Sequence, residues 1–224
     1  MKPGDSNAIT RLPRVVVLIS GSGSNLQALL DACTRGELKC EVAAVISNRP
    51  SAGGLERARA TNIPALAVDH TRFDSRESFD RELARVIDLH APELIILAGF
   101  MRILSPVFTT KFAGKLLNIH PSLLPKYPGL NTHQRAIDAG DNYAGATVHF
   151  VTGELDGGPA IIQARVPVLP QDTADQLAER VLVQEHLIYP LAAAWFVEGR
   201  LALQGNRVYL DGELLPQHGY LFAD

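Results

Sequence analysis

Short runs of aliphatic and β-branched residues alternate with amphipathic stretches along the first half of the chain. The apolar runs lie at 15–20, 42–47, 65–68, 94–98 and 116–120, and amphipathic stretches at 25–34, 53–60 and 76–89 separate the first four. Continuously apolar runs are typical of parallel strands that helices cover on both faces. The pattern predicts an α/β fold with a Rossmann-like, doubly wound and mostly parallel sheet.

The pattern changes from residue 146 onwards. Two β segments, 147–151 and 160–166, are joined by a glycine-rich turn and predict an antiparallel C-terminal extension of the sheet. Two shorter strands, 201–204 and 208–210, flank an Asn-containing turn and predict a hairpin.

Two further helices and the domain organisation follow from the same reading. A short helix is expected at 134–139, and one long helix over 173–197, opened by a capping residue and closed by a glycine. Because no repeat or long linker separates two folding units, we expect a single domain over 1–224. Loosely held tails are expected at 1–13 and after residue 215.

Composition and charge exclude several classes of protein. The chain has 224 residues, 46% of them hydrophobic and 20% charged, which is too apolar for intrinsic disorder and long enough to bury a core without a metal or disulfide. A net charge of -3 gives no global positive field, so we expect no nucleic acid or membrane partner, and an anionic ligand needs a local site.

The apolar runs and the cysteines indicate the compartment. No apolar run approaches the ~20 residues of a membrane span, and residues 1–14 lack the core of a signal peptide, so we expect a cytoplasmic protein. Cys33 and Cys40 fit a reducing compartment. With six residues between them, they are expected to be plain thiols that form neither a metal site nor a redox pair.

A glycine- and serine-rich loop at 19–26 lies between the first strand and the first helix. Backbone N–H groups and the helix dipole can hold an anion there, and phosphate is the natural guest. A dinucleotide site would want glycine at Leu26 and an acid near 47–49, where the chain has Ser-Asn-Arg, so a nicotinamide cofactor is disfavoured. The alternative is a tight turn in which Ser24 or Asn25 caps the helix.

Three polar residues form a candidate catalytic group. Asn118 and His120 close an apolar strand, and residues two apart project from the same face. An amide donor beside an imidazole suits acyl transfer, in which an oxyanion develops. Asp156 lies in a glycine-rich turn, and a carboxylate beside His120 would favour the protonated ring. Taken singly, each residue also has a purely structural explanation. Asn118 could be a turn former, His120 a packing residue and Asp156 an ordinary turn aspartate.

Other polar residues are less informative. His120, His133 and His149 have no spacing known for a metal-ligand set, so a zinc site is disfavoured. Glu185 interrupts the last long helix and could hydrogen-bond a ribose, or could belong to a solvated helical face.

The string Asn-Ile-His-Pro-Ser-Leu-Leu-Pro-Lys-Tyr-Pro-Gly at 118–129 resembles the signature of folate-dependent formyltransferases. Segments 19–25, 97–104, 149–152 and 155–159 follow in the family's order, so the resemblance covers about residues 14–220. Within the family, the motifs most resemble the branch that acts on glycinamide ribonucleotide in purine synthesis. Methionyl-tRNA formyltransferases add a C-terminal domain, and formyltetrahydrofolate hydrolases add an N-terminal one, so both are disfavoured.

The resemblance implies a reaction in which the amine of glycinamide ribonucleotide attacks the formyl group of 10-formyltetrahydrofolate, the co-substrate, without a metal. It also implies that Asn118 and His120 stabilise the oxyanion, with His120 as proton donor. Asp156 would keep His120 protonated and help to relay the amine proton through water.

The resemblance also implies two binding sites for small molecules. The ribonucleotide would contact Gly23, Ser24, Asn25 and Glu185. The folate would contact Arg76, Met101, Arg102, Ile103, Leu104, Asn118, Val151, Thr152, Gly153, Glu154, Leu155 and Asp156. The resemblance is compatible with a homo-oligomer. The alternatives are hydrolysis of the formyl folate and a nucleotide-binding regulatory module without chemistry; such a module gives no reason for Asn118, His120 and Asp156 to converge.

Overall fold

The computed structural model describes residues 11–223, in which helices flank a central sheet. The strands are β1 (Arg14–Ile19), β2 (Glu41–Ser47), β3 (Ala65–Ala67), β4 (Leu94–Leu97), β5 (Leu116–His120), β6 (Tyr143–Phe150), β7 (Ala160–Pro167), β8 (Leu201–Gln204), β9 (Arg207–Leu210), β10 (Glu213–Leu214) and β11 (Tyr220–Phe222). The helices are α1 (Ser24–Thr34), α2 (Gly54–Ala60), α3 (Arg76–Asp88), α4 (Pro106–Lys111), α5 (Thr132–Asp138) and α6 (Ala174–Val197).

The large sheet has eight strands in the order β11-β7-β6-β5-β4-β1-β2-β3. Strands β3, β2, β1, β4 and β5 are parallel, whereas β6 runs antiparallel to both β5 and β7. The predicted α/β fold with an antiparallel extension is therefore confirmed. The chain order reverses between β1 and β4, and ligands of such sheets bind in the crevice at the carboxyl ends of the strands around that point.

Alternate residues of the central strands pack into two hydrophobic cores, one on each face of the sheet. In β1, Val15 and Val17 face a cluster that includes the apolar residues of α1 and α6. Val16 and Leu18 face a second cluster that includes those of α3 and α4. Continuous burial of β4 and of β1 after Arg14 explains why their sequences there are apolar at every position.

The small sheet contains the predicted hairpin of β8 and β9, to which β10 adds a strand. The expectation of a loose tail after residue 215 is wrong for β11, which pairs in parallel with β7. Gly219 precedes β11 with a φ of 77°, and a Cβ there would lie 2.5 Å from the backbone of Ile161. This close approach needs glycine, and three strand residues are too few for a clear alternation in sequence.

The predicted N-terminal tail at 1–13 falls largely outside the described residues. Within them, Arg11 pairs with Glu93 at 3.2 Å, and the carbonyl of Pro13 accepts a hydrogen bond from the N–H of Glu41 at 2.9 Å. Among the helices at 11–223, none has the length and apolar character that crossing a membrane would require.

Candidate active site

Buried polar side chains of β6 and β7 hold the loop that follows β5. Thr147 donates its hydroxyl to the carbonyl of Ser122 at 2.7 Å and accepts the N–H of Leu124 at 3.0 Å. Gln163 donates to the carbonyl of Leu124 at 2.7 Å. Because these bonds replace water inside the protein, they fix the loop backbone against the sheet. The loop can then offer its own carbonyl and N–H groups to the neighbouring polar residues.

The structure brings Asn118, His120 and Asp156 together at the end of β5. The Nδ1 atom of His120 lies 3.5 Å from Oδ2 of Asp156, and their side chains are 8% and 9% exposed. The Nε2–H group of His120 donates to the carbonyl of Tyr127 at 2.9 Å, and the N–H of Gly129 donates to Asp156 at 2.9 Å. Both nitrogens of the imidazole thus face an acceptor oxygen.

The backbone around this group is strained at two non-glycine residues. Asp156 has a φ of 51° and Tyr127 a φ of 57°, both in the left-handed region that side chains with a Cβ rarely adopt. Residues of this kind concentrate at functional sites, where the surrounding structure holds them in place.

His149 is a residue of this site whose position the sequence did not reveal. It pairs directly with Asn118 across β5 and β6, and its Nε2 atom lies 3.1 Å from the Nδ2 atom of Asn118. Its Nδ1–H group donates to the carbonyl of Phe150 at 2.9 Å, so Nε2 accepts the amide hydrogen of Asn118. Burial lowers the pKa of His149 and favours this neutral form.

The three histidines weighed as metal ligands in the sequence do not form a metal site. Within the described part of the chain, no three His, Cys, Asp or Glu side chains are grouped to hold a metal ion.

The glycine-rich loop leads into α1 at Ser24. Gly23 is the capping residue, with a φ of 77°, and no side chain caps the helix. The alternative in which Ser24 or Asn25 caps the helix is therefore wrong, and the N–H groups of the first turn have no capping side chain as acceptor. A Cβ on Gly23 would lie 2.7 Å from the Cα of Gly54, so φ and close packing against α2 both require glycine.

Glu185 meets this loop from α6. The Nδ2 group of Asn25 donates to the carboxylate of Glu185 at 2.7 Å, and the two residues are 9% and 8% exposed. Burial raises the pKa of Glu185, and the hydrogen bond from Asn25 partly opposes this shift. The reading of Glu185 as part of a solvated face is thus wrong. The Oδ1 atom of Asn25 is buried and has no partner among the described residues.

An open cavity of about 440 Å³ adjoins the start of α1. Ser24, Arg57 and His186 are among the residues that line it. The guanidinium of Arg57 donates to the carbonyl of Ser22 at 2.8 Å, which places a positive charge beside the loop. The loop therefore combines backbone donors that no side chain caps with a neighbouring cation and cavity, and this combination suits an anion.

The segment after β4 presents both apolar and polar groups. The N–H of Met101 donates to the hydroxyl of Ser20 at 2.8 Å, which ties the segment to the end of β1. The side chains of Met101 and Ile103 are exposed, at 69% and 52%, whereas Leu104 is buried. The Nε atom of Arg102 is buried and has no hydrogen-bond partner within residues 11–223, and the guanidinium lies over the ring of Phe79 at 4.8 Å. The exposed apolar groups of this segment suit a flat ring.

The loop at 151–156 borders the same region. Val151 packs against the cluster that contains Leu104, while Gly153, Glu154 and Leu155 are exposed. Thr152 is half-buried, and its hydroxyl accepts a hydrogen bond from the N–H of Glu154 at 3.4 Å.

Arg76 is less closely tied to the predicted folate residues. It lies exposed at the first position of α3, and no hydrogen bond or ion pair in the described residues connects it to the others.

Comparisons with known proteins agree on one family. A family model described as formyl transferase matches residues 13–193. The chain is 57% identical to phosphoribosylglycinamide formyltransferase of Escherichia coli (strain K12) over 206 residues, which cover 92% of this chain and 97% of the relative.

Solved structures give the same similarity. The phosphoribosylglycinamide formyltransferase from Coxiella burnetii matches with a TM-score of 0.91 and 49% identity, over 95% of this chain and 100% of that one. A formyltetrahydrofolate deformylase from Pseudomonas syringae pv. tomato matches with a TM-score of 0.83 and 29% identity, over 90% of this chain and 66% of that one.

Proposed function

Since the chain belongs to the formyl transferase family, we propose that Asn118, His120 and Asp156 transfer the formyl group of 10-formyltetrahydrofolate to the amine of glycinamide ribonucleotide. The observation that carries this assignment is the buried contact of His120 with Asp156 beside the amide of Asn118. A donor amide, an imidazole and a carboxylate in one place meet the needs of acyl transfer to an amine.

The chemistry requires one addition and one elimination. The amine nitrogen adds to the formyl carbon, and the carbonyl oxygen becomes an oxyanion. The bond from this carbon to N10 of the folate then breaks, and N10 takes up a proton as the attacking nitrogen loses one. Donors aimed at the oxyanion stabilise the transition state more than either substrate.

Asn118 and His120 supply that stabilisation. His149 takes one of the two amide hydrogens of Asn118, which fixes the amide plane and leaves the other for the oxyanion. His149 is thus a positioning residue. The Nε2–H group of His120 is bound to the carbonyl of Tyr127, so the protonated ring acts through its charge until this N–H turns to the formyl oxygen.

Asp156 has two tasks. Its Oδ2 atom faces His120 and accepts the N–H of Gly129, while its Oδ1 atom lies 3.9 Å from Nε2 of His149. The first oxygen favours the protonated imidazole, and the second is free to accept the amine proton through water.

The ribonucleotide is assigned to the loop at Gly23, Ser24 and Asn25. Its phosphate suits the N–H groups at the start of α1, which no side chain caps. A ribose hydroxyl can donate to the carboxylate of Glu185, which Asn25 holds through its Nδ2 group. These contacts distinguish transfer from hydrolysis, because water as the acceptor would need no phosphate site.

The folate is assigned to the segments 101–104 and 151–156, where the apolar side chains of Met101, Ile103 and Leu155 are exposed. Arg76 is included in this site on the family resemblance. A cytoplasmic location fits the two free cysteines, and small molecules are the partners that the site accommodates.

The test is an assay of the purified protein with 10-formyltetrahydrofolate, with and without glycinamide ribonucleotide. We expect formyl loss to depend on the ribonucleotide. Equal turnover without it would favour hydrolysis. No turnover, together with no change in thermal unfolding, would favour a regulatory module, since a ligand at ~100 times its Kd adds about 2.7 kcal/mol of stability.

A further inference from the structure

The chain has two cysteines, and the structure places them in contact. Cys33 lies in the last turn of α1 and Cys40 directly before β2, and their sulfur atoms are 3.7 Å apart. Sequence spacing predicts two plain thiols, and both are free in the structure, but the spacing does not reveal this contact. The turn that follows α1 folds the chain back, so residues seven positions apart meet.

The distance is short enough for a disulfide after a small movement. A disulfide has an S–S length of about 2.05 Å, so the sulfurs must approach by about 1.6 Å. The intervening residues 35–37 and 39 are exposed, and Gly36 has a φ of 75°. An exposed turn with glycine can absorb such a shift without disturbing the sheet.

The two thiols differ in exposure and in acidity. Cys33 is half-buried and Cys40 is buried. The hydrogen bond from Cys40 lowers the pKa of Cys33, and the same contact together with burial raises the pKa of Cys40. The C-terminal end of α1 does not favour a thiolate, so the stabilisation of the Cys33 thiolate comes from the Cys40 thiol. Cys33 is therefore the attacking sulfur and Cys40 the resolving one.

We propose that Cys33 and Cys40 form a reversible dithiol–disulfide pair that a small-molecule disulfide oxidises. The Cys33 thiolate attacks one sulfur of oxidised glutathione and releases a glutathione thiolate. Cys40, as it loses its proton, attacks the mixed disulfide at Cys33 and releases the second glutathione. One disulfide is thus reduced as the internal one forms.

The test uses the full chain, oxidised glutathione and intact-mass spectrometry under non-reducing conditions. We expect the parent protein to lose two hydrogen atoms and both titratable thiols, with dithiothreitol restoring them. Because the chain has no other cysteine, a monomer with this mass contains the Cys33–Cys40 bond.

Two variants assign the order of attack. Cys40→Ala removes the hydrogen bond to Cys33 but leaves this thiol half-buried, so the variant is expected to trap glutathione on Cys33. Cys33→Ala leaves only the buried Cys40 and is expected to react at least tenfold more slowly than Cys40→Ala. A parent protein that retains both thiols, stops at the mixed disulfide or forms disulfide-linked dimers would overturn the proposal. So would a Cys33→Ala variant that reacts as fast as Cys40→Ala.

Discussion

Replacing Glu185 by glutamine is expected to weaken ribonucleotide use while making the free protein more stable. The carboxylate is 8% exposed, and its hydrogen bond from Asn25 does not fully offset the cost of burial, since the pKa of Glu185 is raised. The amide oxygen of glutamine can accept the same hydrogen bond without a charge. A gain on the order of 1 kcal/mol in the free energy of unfolding at pH 7 follows, at the lower end of the cost of an under-satisfied buried polar group.

The activity of Glu185→Gln toward the ribonucleotide is expected to fall. A hydrogen bond to a charged group contributes about 1.5–3 kcal/mol, which corresponds to roughly a 10- to 150-fold fall in kcat/KM for the ribonucleotide. The KM of the folate is expected to stay within about twofold, because Glu185 does not belong to the folate site.

The pH dependence of the free energy of unfolding tests independently whether the charge of Glu185 destabilises the fold. A raised pKa means that the folded protein holds a proton that the unfolded chain has lost, so the stability from this group is present at low pH. It is lost as pH rises through the folded-state pKa. Urea titrations from pH 4 to 8 should show this decline in the parent and a flatter profile in Glu185→Gln. Glu179→Gln, at an exposed site on the same helix, is the control. A variant less stable at pH 7 with unchanged ribonucleotide kinetics would refute the reasoning.

Three further changes test the remaining assignments. Asn118→Ala is expected to lower kcat by roughly 10²–10³ with modest changes in KM, and near-normal turnover would remove it from the mechanism. His149→Ala, acting through Asn118, should lower kcat about tenfold in the parent and hardly at all in Asn118→Ala; additive losses would contradict a positioning role. Gly23→Ala should lower the free energy of unfolding by at least about 1 kcal/mol and raise the ribonucleotide KM, because of its φ and the 2.7 Å approach to Gly54, whereas Ser24→Ala stays within about 0.5 kcal/mol.

Much of the fold can be predicted from the sequence, because strands that are buried on both faces consist of continuous apolar runs. The strands β1 and β4 follow this rule, whereas the helix α6 was predicted from its capping residue and its closing glycine. The predicted family, α/β fold and formyl-transferring activity are confirmed. The helix α4 was not predicted, since its six residues are too few to show a helical period.

The residues and contacts of the candidate site could be predicted only in part from the sequence. Asn118 and His120 share a face because they are two apart in one strand, which a sequence reveals. The contact of Asn118 with His149 depends on the register of two antiparallel strands, and the contact of Cys33 with Cys40 depends on the path of a turn. Local sequence patterns predict neither of these. The assigned roles of the site residues and the single domain stay predictions.

Asp156→Asn tests the central claim most directly. The amide oxygen of asparagine can still accept the N–H of Gly129, so the loop should keep its shape while the carboxylate charge beside His120 is lost. With Glu179→Gln as the control, we predict that kcat falls by roughly 10²–10⁴ and that the Kd of each substrate changes less than about threefold. A kcat within about threefold of the parent value would contradict the account.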